Sequence, residues 1–296
     1  MAGYSCPFCG TASAGDSASC PGCGAPVDVQ RKVTASGWIE LPPAADLARI
    51  QCGRSSLQIA GTLVPVADFA LAPSEGLYFA HHELLWKERQ VQLQRTGMRG
   101  AWKRMLAGLP VHMLNATGPG RIALSRDAPG EMLAIPLHQG HAVEVREHVF
   151  MVATSSVTYD YFMPPVWYVT QNGDERETHF PLGMLMDRFT ATGGPGLLLV
   201  HAHGNAFVRN LAAGESVLIK ASALLYKDVS VAMHLHFEYV QRKGLVSWLT
   251  AGWNLQRYLW LRLTGPGRVA MQSAWGHHHD PERGIVQSTP ATEHYW

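Results

Sequence analysis

The sequence predicts an all-β protein: a triple-repeat β domain, sandwich or barrel, behind a small cysteine-held module. Three observations predict it. The composition is rich in turns, with 29 Gly and 18 Pro in 296 residues, which suits many short strands better than a helical bundle. Three stretches nearly repeat one another: "ATGPGRIAL" (116–124), "ATGGPGLLL" (191–199) and "LTGPGRVAM" (263–271). Four of the five cysteines fall within the first 23 residues, in "CPFCG" and "CPGCG".

At the N-terminus, Cys6 and Cys9 are separated by two residues, as are Cys20 and Cys23. Each Cys-x-x-Cys followed by Gly makes a tight knuckle that turns two thiolates toward one point, and two knuckles supply the four-sulfur shell that zinc prefers. The intervening "GTASAGDSAS" is too small and polar to build a core, so folding here would depend on the metal. A disulfide pair would need an oxidising compartment, and no export signal supports one. A thioredoxin-like redox motif would need a strand-helix unit around the cysteines, which the residues do not suggest. The expectation is a structural zinc held by Cys6, Cys9, Cys20 and Cys23, with the ribbon spanning 1–26. Cys52 stands alone and reads as a small buried side chain.

The stretch 27–36 lacks helical periodicity and reads as a linker. The β domain is expected over 37–275, and the polar, Pro-containing stretch 276–296 as a flexible tail. Within the domain, the Gly-Pro-Gly corners at 118, 194 and 265 are spaced by 76 and 71 residues. A second motif runs in phase: "LAPSEGLYFAHHELLW" (71–86), "LHQGHAVEVREHVFMV" (137–152) and "LAAGESVLIKASALLY" (211–226). Aligned on the first Leu, Leu77 matches Val143 and Val217, Phe79 matches Val145 and Ile219, and Leu84 matches Phe150 and Leu224. Matched residues two apart share one face of a strand. One such unit cannot bury its inward face alone, so three are expected to close a common core around a pseudo-threefold axis. On that expectation a polar residue at Val143 or at Val217 is equally damaging.

Turn chemistry fills in the connections. "DAPG" (127–130) and "GN" (204–205) read as hairpin turns. The Gly-Pro-Gly triplets combine a fixed φ with two free ones, a sharp corner before a strand. Two segments invite a helical reading. In 97–109, Trp102, Met105, Leu106 and Leu109 share one face and Arg99, Lys103 and Arg104 lie elsewhere. This basic segment is expected to cover the end of the barrel, and it leaves peripheral membrane association open. In 245–263, the final alternation of Leu259, Leu261 and Leu263 against Trp260 and Arg262 reads as a strand.

The corner, the "PG-x(6)-L-x-x-G" segment at 129–140 and the "V-x-V-x(4)-F" strand at 143–150, in phase over roughly residues 36–275, resemble the altered-inheritance-of-mitochondria protein twenty-four family. The resemblance implies a β-rich fold similar to the tryptophan RNA-binding attenuation protein, with three repeats around a pseudo-threefold axis. It implies no catalytic residue set. An N-terminal zinc ribbon is similar to what some bacterial relatives carry.

Charge and motifs exclude several function classes. With 24 basic and 23 acidic residues the net charge is +1, so nothing draws the whole chain to nucleic acid or an anionic membrane. No apolar run reaches the roughly 20 residues of a spanning helix, and the expected location is the cytoplasm. There is no phosphate loop with its Lys and no nucleophile elbow. Fifteen histidines call for a metal search. His201 and His203, and His234 and His236, have the alternate spacing that a cupin-like, metal-dependent β-barrel enzyme uses. However, Val229, Val231, Met233, Leu235, Phe237 and Tyr239 form an apolar face, which turns His234, His236 and Glu238 toward solvent or a partner. RNA binding is suggested by fold analogy alone. The function expected is therefore a non-catalytic scaffold or interaction protein, self-associating or binding a protein partner.

Overall fold

A computed structural model describes residues 4–6, 11–13, 20–22, 36–40, 49–97, 112–239, 257–274, 285–288 and 293–295. The described residues form strands, with two short 3-10 turns at His81–Glu83 and Ala221–Ala223 and no α-helix among them. Five strands precede the repeats: β1 (Tyr4–Ser5), β2 (Ala12–Ser13), β3 (Ile39–Glu40), β4 (Ile50–Cys52) and β5 (Ser55–Ala60).

Three units of six strands follow. The first is β6 (Val66–Leu71), β7 (Gly76–Ala80), β8 (Leu84–Lys87), β9 (Gln92–Gly97), β10 (His112–Thr117) and β11 (Gly120–Ser125). The second is β12 (Glu131–Leu137), β13 (Ala142–Arg146), β14 (Phe150–Thr154) and β15 (Val157–Phe162), then an inserted hairpin of β16 (Tyr168–Asn172) and β17 (Glu175–His179), then β18 (Met186–Ala191) and β19 (Gly196–Ala202). The third is β20 (Ala206–Leu211), β21 (Ser216–Ile219), β22 (Leu224–Asp228), β23 (Ala232–Tyr239), β24 (Arg257–Thr264) and β25 (Gly267–Gln272).

The pairing plan is the same each time. A unit's first strand pairs with its sixth and the sixth with the third, while the second pairs with the fifth and the fifth with the fourth. Each unit thus splits between two layers. Units join because the third strand of one continues the sheet of the unit before it: β14 pairs with β7, and β22 with β13. The equivalent third seam would be β8 with β21, but among the described residues both are edge strands and no strand closes that seam.

Burial follows this plan. In β6, Ala67, Phe69 and Leu71 point inward and alternate with partly exposed residues, the pattern of a sheet covered on one face. In β19, Leu197 to Ala202 are all buried. Its sheet lies between two cores: Leu197 and Leu199 belong to the first, Leu198 and Val200 to the second. The expected common core is in fact three clusters, with Leu77 and Phe79 in one, Val143 and Val145 in another, and Val217 and Ile219 in the third. A two-layer unit needs only its own facing sheets and one neighbour's strands to exclude water, so no axial core has to form.

The corners have a steric cause. A Cβ on Gly118 would lie 2.4 Å from the Ala72 carbonyl oxygen, and one on Gly265 2.4 Å from that of Ala212. Gly120 and Gly267 hold φ of 130° and 139°, which side chains avoid. The corner carries the chain from the fifth strand in one layer to the sixth in the other. The second unit departs from this, with four residues instead of two between β18 and β19. "DAPG" and "GN" are not hairpin turns as expected. β11 pairs with β6 and β8 while β12 pairs with β19, so these turns link one unit to the next.

Residues 98–111, which hold most of the segment read as a basic helix, lie outside the described residues, as does most of the linker. The end of 245–263 is a strand as read, with Leu259, Leu261 and Leu263 buried. The stretch from 276, expected to be a flexible tail, contributes β26 (Ile285–Ser288), paired with β16, and β27 (Glu293–Tyr295), parallel to β23. No helix among the described residues is long and apolar enough to cross a membrane.

Candidate functional site

β1 and β2 form a short antiparallel hairpin, Tyr4 opposite Ser13 and Ser5 opposite Ala12, and the turn it closes carries Cys6. The Cys6 amide donates to the Thr11 carbonyl at 3.0 Å. The Gly22 amide points at the Cys20 sulfur at 3.4 Å. Cys6 and Cys20 are both buried. Cys9 and Cys23 lie outside the described residues.

The N-terminal segment borders a cleft of about 450 Å³ against β4, β5 and the first and second units. Thr11, Pro21 and Gly22 line one side, and Cys52, Ser74, Glu75 and Gly76 are among those lining the other. Glu75 organises that wall. Its carboxylate accepts the Arg54 amide at 2.8 Å and a short hydrogen bond from the Ser55 hydroxyl, which in turn accepts the Ala72 amide at 2.9 Å. Burial pulls the Glu75 carboxyl upward, but the Ser55 and Arg54 bonds outweigh it and hold it below the usual carboxylate range. Burial first, and the Glu75 charge second, push the Cys52 thiol up to about 11. Cys52 is half-buried, and at neutral pH it is a thiol, not a nucleophilic thiolate.

The four histidines divide into two pairs in different sheets. His201 and His203 are in edge contact, ring centres 5.2 Å apart, at the end of β19. His201 is buried, and its Nε2 lies 3.2 Å from the Ala128 carbonyl, so that nitrogen carries the proton and donates. Burial, then His203 and Arg126, lower its pKa to about 4. Nearby, Arg126 forms an ion pair with the buried Glu83 and donates to the His148 carbonyl. On β23, Glu238 is exposed and His234 partly so, as expected. His236 is instead buried, because it lies opposite Trp260 with β27 on its other side. Among the described residues no group of three or more His, Cys, Asp or Glu side chains is placed to hold a metal ion.

Sequence reasoning missed a cation-aromatic face on the third unit. The Lys220 ammonium sits 4.9 Å from the Trp260 ring centre and 5.6 Å from that of Tyr258, and the Trp260 indole donates to Glu238 at 2.9 Å. The alternation of Tyr258, Trp260 and Arg262 was visible, but Lys220 comes from another strand end and gives no local signal. The lysine and the carboxylate already occupy the aromatic groups that base stacking would use.

Residues 57–274, from β5 to β25, match the family described as mitochondrial biogenesis AIM24, and the chain belongs to that family. A crystal structure of a Streptococcus pyogenes protein is similar in fold, at 16% identity and a TM-score of 0.52, over 75% of this chain and 94% of that one. No curated protein matches the chain. The cysteine-rich segment precedes the matched region.

Proposed function

We propose that this chain is a non-catalytic interaction protein, a zinc ribbon mounted on a three-unit β scaffold, that works in the cytoplasm by holding a partner protein. The observation that carries the reading is the buried Cys20 sulfur with the Gly22 amide aimed at it. Cys6 is buried as well, and a Cys-x-x-Cys turn with its sulfur drawn inward is how a knuckle presents sulfur to a metal. Cys6, Cys9, Cys20 and Cys23 together would give zinc its four sulfurs. Reduced thiols and an available metal fit a reducing compartment. The cleft between Gly22 and Glu75 gives a partner a place that depends on both modules.

Elemental analysis of protein purified without a metal-affinity tag should give one zinc per chain, absent from Cys6→Ser with Cys20→Ser. Among the described residues, none of the three core clusters contains one from 1–26, so the β domain of that variant should unfold at an unchanged midpoint. Partner capture should be lost when residues 1–26 are removed. A zinc-free native protein, or capture indifferent to the ribbon, overturns the reading. A divalent-metal-dependent turnover lost in His201→Gln with His203→Gln would replace it with the enzyme.

A further inference from the structure

The two hydrogen-bonded seams set a pattern that the third place lacks. Where β14 meets β7, Val152, Ala153 and Thr154 lie opposite Phe79, Tyr78 and Leu77. Where β22 meets β13, Tyr226, Lys227 and Asp228 lie opposite Val145, Glu144 and Val143. Each third strand also carries one extra residue against its sixth-strand neighbour, a bulge at Leu85, Met151 and Leu225 respectively. The bulge drives that side chain out of its own ladder and into the unit before. Met151 is 0% exposed in the first unit's core cluster, and Leu225 is 0% exposed in the second's.

In the first unit the same device has nothing to enter. Leu85 is 56% exposed and Trp86 43%, where their counterparts Val152 and Tyr226 are buried. In the third unit, β21 is an edge strand among the described residues, with Leu218 37% exposed, where its counterpart Glu144 is buried. Val217 beside it is only partly buried against the third core. Lys87, the one charge on β8, is folded back onto the Glu88 and Val91 carbonyls, so it does not guard the edge as edge lysines commonly do. The first unit thus carries a projecting strand with its apolar bulge, and the third an unfilled strand edge.

We propose that β8 of one copy of this chain pairs with β21 of the next, in the register of the internal seams: Trp86 opposite Ile219, Lys87 opposite Leu218 and Glu88 opposite Val217. Leu85 then enters the neighbour's third core cluster as Met151 and Leu225 enter the first and second. The contact is head to tail, so it builds a ring or a filament, not an isologous dimer. The proposal deepens the binding reading above by naming a second copy as the partner of this edge.

Sedimentation velocity of the full chain, from nanomolar to hundreds of micromolar, tests it. The wild type should grow from monomer into species larger than a dimer. Leu85→Glu with Trp86→Glu should be monomeric at every concentration, and so should Leu218→Lys, which would set a like charge opposite Lys87. These side chains are exposed, so the circular dichroism spectrum and thermal midpoint of each variant should match the wild type. The two variants mixed should form a dimer and nothing larger, because each retains the edge the other has lost. A wild type that stays monomeric overturns the proposal, as does assembly that survives in both variants. Assembly lost in the β8 variant but kept in Leu218→Lys would mean β8-to-β8 pairing and also overturns it. A monomeric wild type that still captures its partner through the ribbon leaves the binding reading standing.

Discussion

Between the first and second units, Ala153 of β14 lies opposite Tyr78 of β7. At the equivalent place between the second and third, Lys227 of β22 lies opposite Glu144 of β13. The backbone ladder is the same and the chemistry is not. In the ionic seam the Lys227 ammonium is 2.5 Å from Glu144 Oε2 and the Arg188 guanidinium 2.5 Å from Oε1, with lysine and carboxylate both buried. The apolar seam uses Val152, Phe79 and Leu77 instead, all buried in the first core. A repeated fold can therefore close its seams by water exclusion alone or by a paired charge. The second solution is vulnerable in a way the first is not, since a lone charge left behind cannot be solvated.

The largest expected effect tests that vulnerability. Glu144→Ala leaves Lys227 buried without its carboxylate and should cost about 3–5 kcal/mol in urea unfolding at neutral pH. Glu144→Leu with Lys227→Met turns the ionic seam into an apolar one and should recover most of the loss. A single-variant cost below about 1 kcal/mol would place the triad among solvated surface pairs. Next in size is a pair at matched positions. Val143→Asn should cost about 3 kcal/mol, because the amide enters a closed core, and Val217→Asn about 1, because that strand is an open edge. Equal costs would restore the symmetry expected from the repeats and would mean that β21 is covered in solution.

What the sequence made legible follows the range of each signal. The match of Leu84, Phe150 and Leu224 found the start of three equivalent third strands, because spacing along a strand is local. The corners were legible because a Cβ at Gly118 or Gly265 would fall 2.4 Å from a carbonyl oxygen, which leaves glycine as the residue that fits. Partner choice was not legible. The turns at 127–130 and 204–205 have hairpin chemistry, yet they serve links between units, since a turn says that the chain reverses but not which strand it will join. Nor could spacing alone show that Leu85 is bare while Met151 is buried, because the difference lies in the absent neighbour. Of the candidate site, the cysteine knuckles are a local pattern, whereas Glu75 and Ser55 meet across 20 residues and left no pattern to find.

A third measurement separates the seams by acid. His201 lies at the end of the sheet that carries the apolar seam, facing Arg126 and His203, with His82, His148 and Arg146 near that arginine-histidine cluster and Glu83 as its acid. Its folded pKa, near 4, is below the ordinary value of 6.5. Between these values the unfolded chain binds a proton that the folded chain refuses, so stability is full above about pH 6.5 and falls as pH drops toward 4. The loss from His201 alone should reach about 2 kcal/mol at pH 5. His203 and His82, also lowered, add to it in the same direction. His201→Gln should flatten the unfolding free energy between pH 7 and 5, and an unchanged slope would remove the imidazole as its cause.

The smallest effect probes the apolar seam itself. Tyr78 brings a hydroxyl into it, and that oxygen is buried without a hydrogen-bond partner among the described residues. Burial, then the Asp187 charge, push the phenol far above its ordinary range, so it stays neutral at any pH at which the protein is folded. Its ring lies 5.9 Å from that of Phe150, and this contact would survive removal of the oxygen. A buried hydroxyl without a partner is a desolvation cost, and deleting it leaves the apolar packing in place. Tyr78→Phe should therefore be neutral or stabilise the fold by up to about 1 kcal/mol, raising the urea midpoint with the slope unchanged. The ionic seam predicts the opposite sign for every single truncation of its buried members. If Tyr78→Phe instead cost 1 kcal/mol or more, the hydroxyl would have a bonding partner, such as a buried water, and the first seam would be polar after all.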